Sequence, residues 1–272
     1  MTTPLRLDVV TLGVPDVRAA LAFYDATLSP RVTDHDTFVD LDLHGHGHVG
    51  LVGDASLAAE VGAALPTAAS RDGFRGLVLS YVLDQPAEVR AVEDAATAGG
   101  ARVLKPARKG FFGGFTGYWQ APDGVVWEPA AGRRKDSAPP ASPARPTEVG
   151  LILGVADPVA ARDFYVALGM SADRDYGRKF VGLAPGEGAA RLSLIPRDSL
   201  AKDSGAGEPV DGFAGVVLHH RADSREEVDA LLAAAEGAGG RIVVPAAEAS
   251  WGGYAGHVAD LDGFVWKMGT AT

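Results

Sequence analysis

Apolar and polar positions follow one order that recurs along the chain. LDVVTLGV, residues 7–14, is a short β-rich apolar run that stops before Pro15-Asp16. In the VRAALAFYDATL that follows, Val17, Leu21 and Tyr24 recur at helical spacing, and Asp16 stands at the N-cap position. TFVDLDL and HVGLVGD then read as two strands around the turn-like HGHG. The order restarts with GLVLSYVL as a strand, PAEVRAVEDAATAGG as a helix, and RVLKP, FTGYWQA and VVWEPA as strands. Pro86 suits the first turn of that helix, Gly99-Gly100 its end, and Asp123-Gly124 a hairpin turn.

The second half repeats the first. DGFRGLVLSYVLDQPAEVRAVEDAATAGGARVLKP, from Asp72, aligns without a gap to DGFAGVVLHHRADSREEVDALLAAAEGAGGRIVVP, from Asp211. The match continues to Asp123-Gly124 against Asp262-Gly263 and Trp127 against Trp266, where Glu128 meets Lys267. Farther forward, Gly13 pairs with Gly154, Asp16 with Asp157, and Phe23-Tyr24 with Phe164-Tyr165. Between the copies, GRRKDSAPPASPARPT has no hydrophobic period, and its prolines resist helix and central strand alike. A period this long means a duplicated domain rather than a solenoid. The expected organisation is one domain over 1–131, a Pro/Ala-rich linker over 132–147, and a second domain over 148–272. Each copy is β-α-β-β-β written twice.

Composition removes several function classes. At 47% hydrophobic and 22% charged residues the chain is an ordinary globular sequence. It has no apolar run near the ~18 residues of a membrane span, and MTTPLRLDVV lacks the basic and apolar regions of a signal peptide. The absence of cysteine excludes disulfides, thiolate metal sites and cysteine nucleophiles. A cytoplasmic protein with no membrane partner is the simplest reading. A net charge of −10 argues against a nucleic-acid partner. A serine hydrolase, NTPase or Rossmann enzyme has no motif to support it.

The ordered set of a strand, G-V-x-D, a helix carrying F-Y, a G-G-x-x-G-Y strand and D-G-x-x-W-E runs through the first copy, and the second repeats it with His257 in place of the tyrosine and Lys267 in place of the glutamate. It resembles the vicinal oxygen chelate superfamily, which includes glyoxalase I, bleomycin-resistance proteins and extradiol dioxygenases. The resemblance implies an α+β fold of tandem duplicated glyoxalase-like domains, each with two βαβββ units forming a curved mixed sheet around a cleft. It also implies ligand positions for a divalent ion on the first, fourth, fifth and eighth strands. Those positions fall on Val9, Gly50, Leu77 and Glu128 in one copy and on Gly150, Ser193, Val216 and Lys267 in the other. A catalytic ion typically takes about three protein ligands, and a lysine cation repels it. The expectation is therefore no metal cofactor.

Other residues invite chemistry. Alternation along β-rich VVLHHR from Val216 puts His220 on the cleft face and His219 on the other, making His220 a candidate general base with Glu128 and Lys267. His257 aligns with Tyr118, and both are candidate ligand contacts. The loops ARKGFFGGFTGY and AEASWGGYAGH set glycines among aromatics, so Phe111, Phe112, Phe115, Trp251 and Tyr254 are candidates to line a pocket. The alternating His44, His46 and His48 read as an exposed turn with adventitious metal affinity. Three readings follow. The first is a bleomycin-resistance-like protein that binds a small organic molecule without metal. The second is a metal-independent enzyme of secondary metabolism, and the third a metal-dependent lyase or dioxygenase. The fused copies supply domain pairing within a monomer, with a homodimer as the alternative.

Overall fold

The computed structural model describes residues 4–65, 73–110, 114–249 and 252–270. The first βαβββ unit comprises β1 (Val9–Val14), α1 (Val17–Leu28), β2 (Arg31–Asp34), β3 (Val39–Asp42) and β4 (His48–Gly53), and a short helix α2 (Asp54–Glu60) follows it. The second comprises β5 (Leu77–Leu83), α3 (Pro86–Ala98), β6 (Arg102–Lys109), β7 (Phe115–Gln120) and β8 (Val126–Ala131). In the second copy come β9 (Glu148–Val155), α4 (Pro158–Ala167), β10 (Ala172–Asp175), β11 (Val181–Leu183) and β12 (Arg191–Pro196), followed by a short helix α5 (Arg197–Ser204). The last unit is β13 (Val216–Arg221), α6 (Arg225–Gly237), β14 (Arg241–Glu248), β15 (Tyr254–Ala259) and β16 (Val265–Thr270).

Local chemistry explains the long helices. Asp16 Oδ1 accepts from the backbone N–H groups of Arg18 and Ala19 at 2.9 and 3.0 Å, satisfying donors that the first turn leaves open. Asp157 caps α4 in the same way through Val159 N–H at 2.9 Å. Pro86 occupies the first turn of α3, where its missing N–H costs nothing. The segments RVTD and ADRD, which become β2 and β10, are exposed throughout and offered no apolar period to read.

The units assemble into two eight-stranded sheets, ordered β14-β15-β16-β13-β1-β4-β3-β2 and β10-β11-β12-β9-β5-β8-β7-β6. Within a unit the first strand pairs parallel with the fourth, as β1 does with β4. Between units the pairing crosses the copies. β1 runs antiparallel to β13, with Val9 opposite His219, and β5 runs antiparallel to β9, with Ser80 opposite Gly150. Each sheet thus holds one unit from each copy.

Helices tie the two units of a copy together. One face of both sheets packs on the long helices in a shared core that includes Tyr24, Trp119, Trp127, Tyr165 and Trp266. Tyr24 of α1 donates to buried Asp123 at 2.7 Å and stacks obliquely on Trp127 of the other sheet. Tyr165 of α4 donates to Asp260 at 2.5 Å and accepts from Trp266 Nε1 at 3.2 Å. The opposite sheet faces are covered by the short helices: Leu57 and Val61 pack on Val217 and Val265, and Leu200 and Ala201 on Val78 and Val126. Glycine permits this approach, since a Cβ at Gly154 would lie 3.0 Å from the Arg197 Cα atom.

The 132–147 segment is exposed but tethered. Gln85 Oε1 accepts from Ser137 N–H, and Asp136 accepts from Ala87 N–H and from Arg90. No helix among the described residues is long and apolar enough to cross a membrane.

Candidate functional site

Strand pairing sets which side chains share the faces beneath α2 and α5, because directly opposed residues point the same way. Under α2 one row runs His48, Val9, His219, Lys267 and His257 across β4, β1, β13, β16 and β15. Under α5 the row runs Arg191, Gly150, Ser80 and Glu128 across β12, β9, β5 and β8, with Tyr118 beside it on β7. The sequence repeat makes His219, Lys267 and His257 the counterparts of Ser80, Glu128 and Tyr118. Each sheet therefore carries one polar trio on its covered face.

In the α2 site the charges meet. Lys267 Nζ donates to Glu60 Oε1 at 2.5 Å, and His257 Nε2 stands 3.3 Å from the same oxygen. Burial works to raise the Glu60 carboxyl, but the His257 ring and the Lys267 ammonium outweigh it and hold the group at about 2. Burial, helped by the Lys267 charge, pushes the His219 imidazole down to about 3. His219 is thus neutral in the folded protein. Among the described residues its Nε2 and the Nδ1 of His257 are buried without a hydrogen-bond partner.

The α5 site has the opposite sign. Tyr118 donates to Glu128 Oε1 at 2.7 Å. Burial pushes the Glu128 carboxyl up despite hydrogen bonds from Tyr118 and Ser80, and Asp203 of α5 adds a like charge. Lys105 binds the end of α5 instead, donating to the carbonyls of Lys202 and Asp203 at 2.6 and 2.7 Å. Arg191 turns toward Glu148 and Asp173, at 2.8 and 2.7 Å.

Several expected positions need correction. His220 does not face the covered side: it is 1% exposed, its Nδ1 accepts from Arg6 N–H at 3.1 Å, and its Nε2 donates to Glu227 at 3.1 Å. His219 takes the covered face in its place. Phe115 belongs to the shared core, with the Arg90 guanidinium 5.4 Å from its ring. Tyr254 likewise sits on the helix side, donating to Asp229 at 2.9 Å. The pleat puts both opposite to the covered side, where Tyr118 and His257 lie. Phe111, Phe112 and Trp251 lie outside the described residues. His44 and His46 form a half-buried turn rather than an exposed one, and His48 enters β4 and contacts Asp40 at 2.9 Å. Glu60 carried no sequence signal, since α2 itself was not anticipated.

The sequence model of the Glyoxalase/Bleomycin resistance protein/Dioxygenase superfamily matches residues 6–128 and 149–268. The chain belongs to this superfamily. No curated protein matches it. Among solved structures, glyoxalase I from Zea mays is 18% identical, with a TM-score of 0.64 over 97% of this chain and 92% of that one. A putative dioxygenase from Bacillus subtilis is 15% identical, with a TM-score of 0.63 over 99% of this chain and 86% of that one. At such identities the likeness establishes the fold and leaves the activity open.

The strand pairing also yields in-register sets to set beside the positions inferred from sequence. With Val9 as the anchor, the set is Val9, His48, His219 and Lys267 rather than one containing Gly50 and Val216. With Gly150 as the anchor, it is Gly150, Arg191, Ser80 and Glu128 rather than one containing Ser193 and Leu77. Val216 and Leu77 belong to the shared core. These in-register sets do not suit a divalent ion either. Val9 and Gly150 have no donor atom, and Lys267 and Arg191 bring a cation into each row.

Proposed function

We propose that the protein binds a small organic molecule on the covered faces of its sheets without a metal ion, in the manner of a resistance or sequestration protein. One observation carries this reading: each in-register row contains a donorless residue and a cation, with apolar side chains around it. Val52, Val217 and Val265 line the α2 side, and Val78, Val126 and Ile152 the α5 side. Small-molecule sites combine such apolar walls with a few placed polar groups. The test is a thermal-shift screen of a chemically broad library, run with and without chelator, alongside elemental analysis of a His44→Asn/His46→Asn variant. The reading expects saturable stabilisation unaffected by chelator and metal far below one ion per chain. Stoichiometric metal, or binding that chelator abolishes, overturns it.

A second reading, a metal-independent enzyme, is favoured by one specific feature. Glu128 is a carboxyl raised by burial and joined to Tyr118 and Ser80, a constellation of the kind used for proton transfer. On that reading Glu128→Gln abolishes turnover of a bound compound while leaving its binding within a few-fold. Turnover that survives the substitution removes Glu128 from the chemistry.

A further inference from the structure

The α2 site is composed like a carboxylate receptor, and the carboxylate it holds belongs to the chain itself. Glu60 offers one oxygen to Lys267 at 2.5 Å and places the same oxygen 3.3 Å from His257 Nε2. His257 is only 5% exposed, yet its Nδ1 has no hydrogen-bond partner among the described residues, nor has His219 Nε2. A buried polar group without a partner is costly, so His257 Nδ1 and His219 Nε2, both unpaired beside one lysine, mark a place built for more polar atoms than Glu60 supplies.

The apolar half of the site is also filled from α2. Leu57 and Val61, flanking Glu60, pack on Val217 and Val265, with Val52, Phe213 and Val243 around them. The sister site shows that the fold alone does not require the ion pair. There Asp203 of α5 lies beside Glu128, its charge opposing that carboxyl rather than pairing with a cation. The helix end is held through its carbonyls by Lys105.

We propose that the α2 site binds a small organic carboxylate carrying an apolar body, and that Glu60, Leu57 and Val61 occupy the positions such a ligand would take. This rests on the metal-free binding reading above and names its ligand class. The carboxylate accepts from Lys267 and from one ring N–H each of His257 and His219, the apolar body takes the place of Leu57 and Val61, and α2 lifts. Because α2 competes within the same molecule, the affinity of the intact protein is lowered by the fraction of time the helix is away.

The test titrates the full-length chain with 4-phenylbutyrate and, separately, with its amide. The ring signals of His219 and His257 are followed by NMR and affinities taken by calorimetry. The acid is expected to shift both rings saturably and the amide to leave them unmoved. Glu60→Gln is expected to tighten the acid at least tenfold, and Lys267→Met to remove binding. Circular dichroism establishes that each variant is folded. Should Glu60→Gln not fold, Glu60→Asp, whose shorter arm withdraws the competing carboxylate, is expected to shift affinity in the same direction. Amide binding equal to that of the acid at the same rings overturns the carboxylate assignment while leaving metal-free binding intact. Absence of any acid-induced shift in both the native protein and the Glu60 variant overturns it too. The underlying reading is overturned separately, by stoichiometric metal or by chelator-sensitive binding in the library screen.

Discussion

The Tyr165 hydroxyl donates to the Asp260 carboxylate at 2.5 Å inside the core, joining the helix of one unit to the hairpin of the next. Tyr24 and Asp123 make the matching contact at 2.7 Å in the first copy. The repeat does not align these two aspartates: Asp123 pairs in sequence with Asp262, which instead accepts from Ala156 N–H at 2.7 Å. The contact has therefore kept its geometry while changing the residue that supplies it. Tyr165→Phe removes a hydrogen bond to a buried carboxylate and the acceptor of Trp266 Nε1. The expected loss is about 2 kcal/mol, read as a lowered urea midpoint at unchanged slope. A midpoint identical to that of the native protein would show the bond to be dispensable.

The buried charges fix how stability changes with pH. His219 is held at about 3 when folded, against an ordinary value of 6.5. Between those limits the unfolded chain binds more protons, so this group's contribution is present at neutral pH and is lost as pH falls from about 6.5 toward 3. Asp260 works the other way. Burial, first of its causes, raises it to about 6, so the folded state binds more protons between about 4 and 6, and its contribution improves as pH falls through that window. His219→Gln removes the first slope and leaves the second. Below pH 6 the native protein should lose stability relative to the variant by a slope approaching about 1.4 kcal/mol per pH unit. Parallel curves for the two proteins would place the His219 titration elsewhere.

Much of this architecture is legible in the sequence, and the failures have physical causes. The duplication, the βαβββ order and the Asp16 and Asp157 caps are local signals, and the chain forms them. The exchange of units between sheets is not local, because β1 offers the same apolar strand to β5 or β13. The phase of β13 misleads for a related reason. Val216, Val217 and Leu218 are all buried, since helices cover both faces, so apolarity along the strand carries no information on which face His219 takes. That ambiguity, with α2 unanticipated, kept Glu60 and His219 out of the expected site.

The crossed pairing predicts how the protein behaves when cut. Residues 1–131 alone leave β1 and β5 without their partners β13 and β9, two apolar strands with open edges. The halves 1–131 and 148–272 should each self-associate or aggregate when expressed alone and form a one-to-one complex when coexpressed, with the linker removed. Light scattering after size exclusion reads the masses directly. Two stable monomeric halves that ignore each other would contradict the strand order.

The cover helices should be separable from the rest by single substitutions at the glycines beneath them. A side chain at Gly154 would meet the Arg197 Cα atom at 3.0 Å and the Gly76 carbonyl at 3.1 Å, both backbone atoms that cannot rotate away. At Gly13 the obstacles are the Asp54 Cα atom and the Leu57 side chain, both at 3.2 Å. Gly154→Val should therefore displace α5 and Gly13→Val α2, each costing about 1–3 kcal/mol, as overpacking typically does. Hydrogen exchange locates the effect. Gly154→Val is expected to speed exchange across residues 197–204 while residues 54–60 keep their protection, and Gly13→Val to do the reverse. Equal loosening of both helices by either change would mean that the two covered faces open as one unit. A ligand taken up under α2 would then also disturb α5.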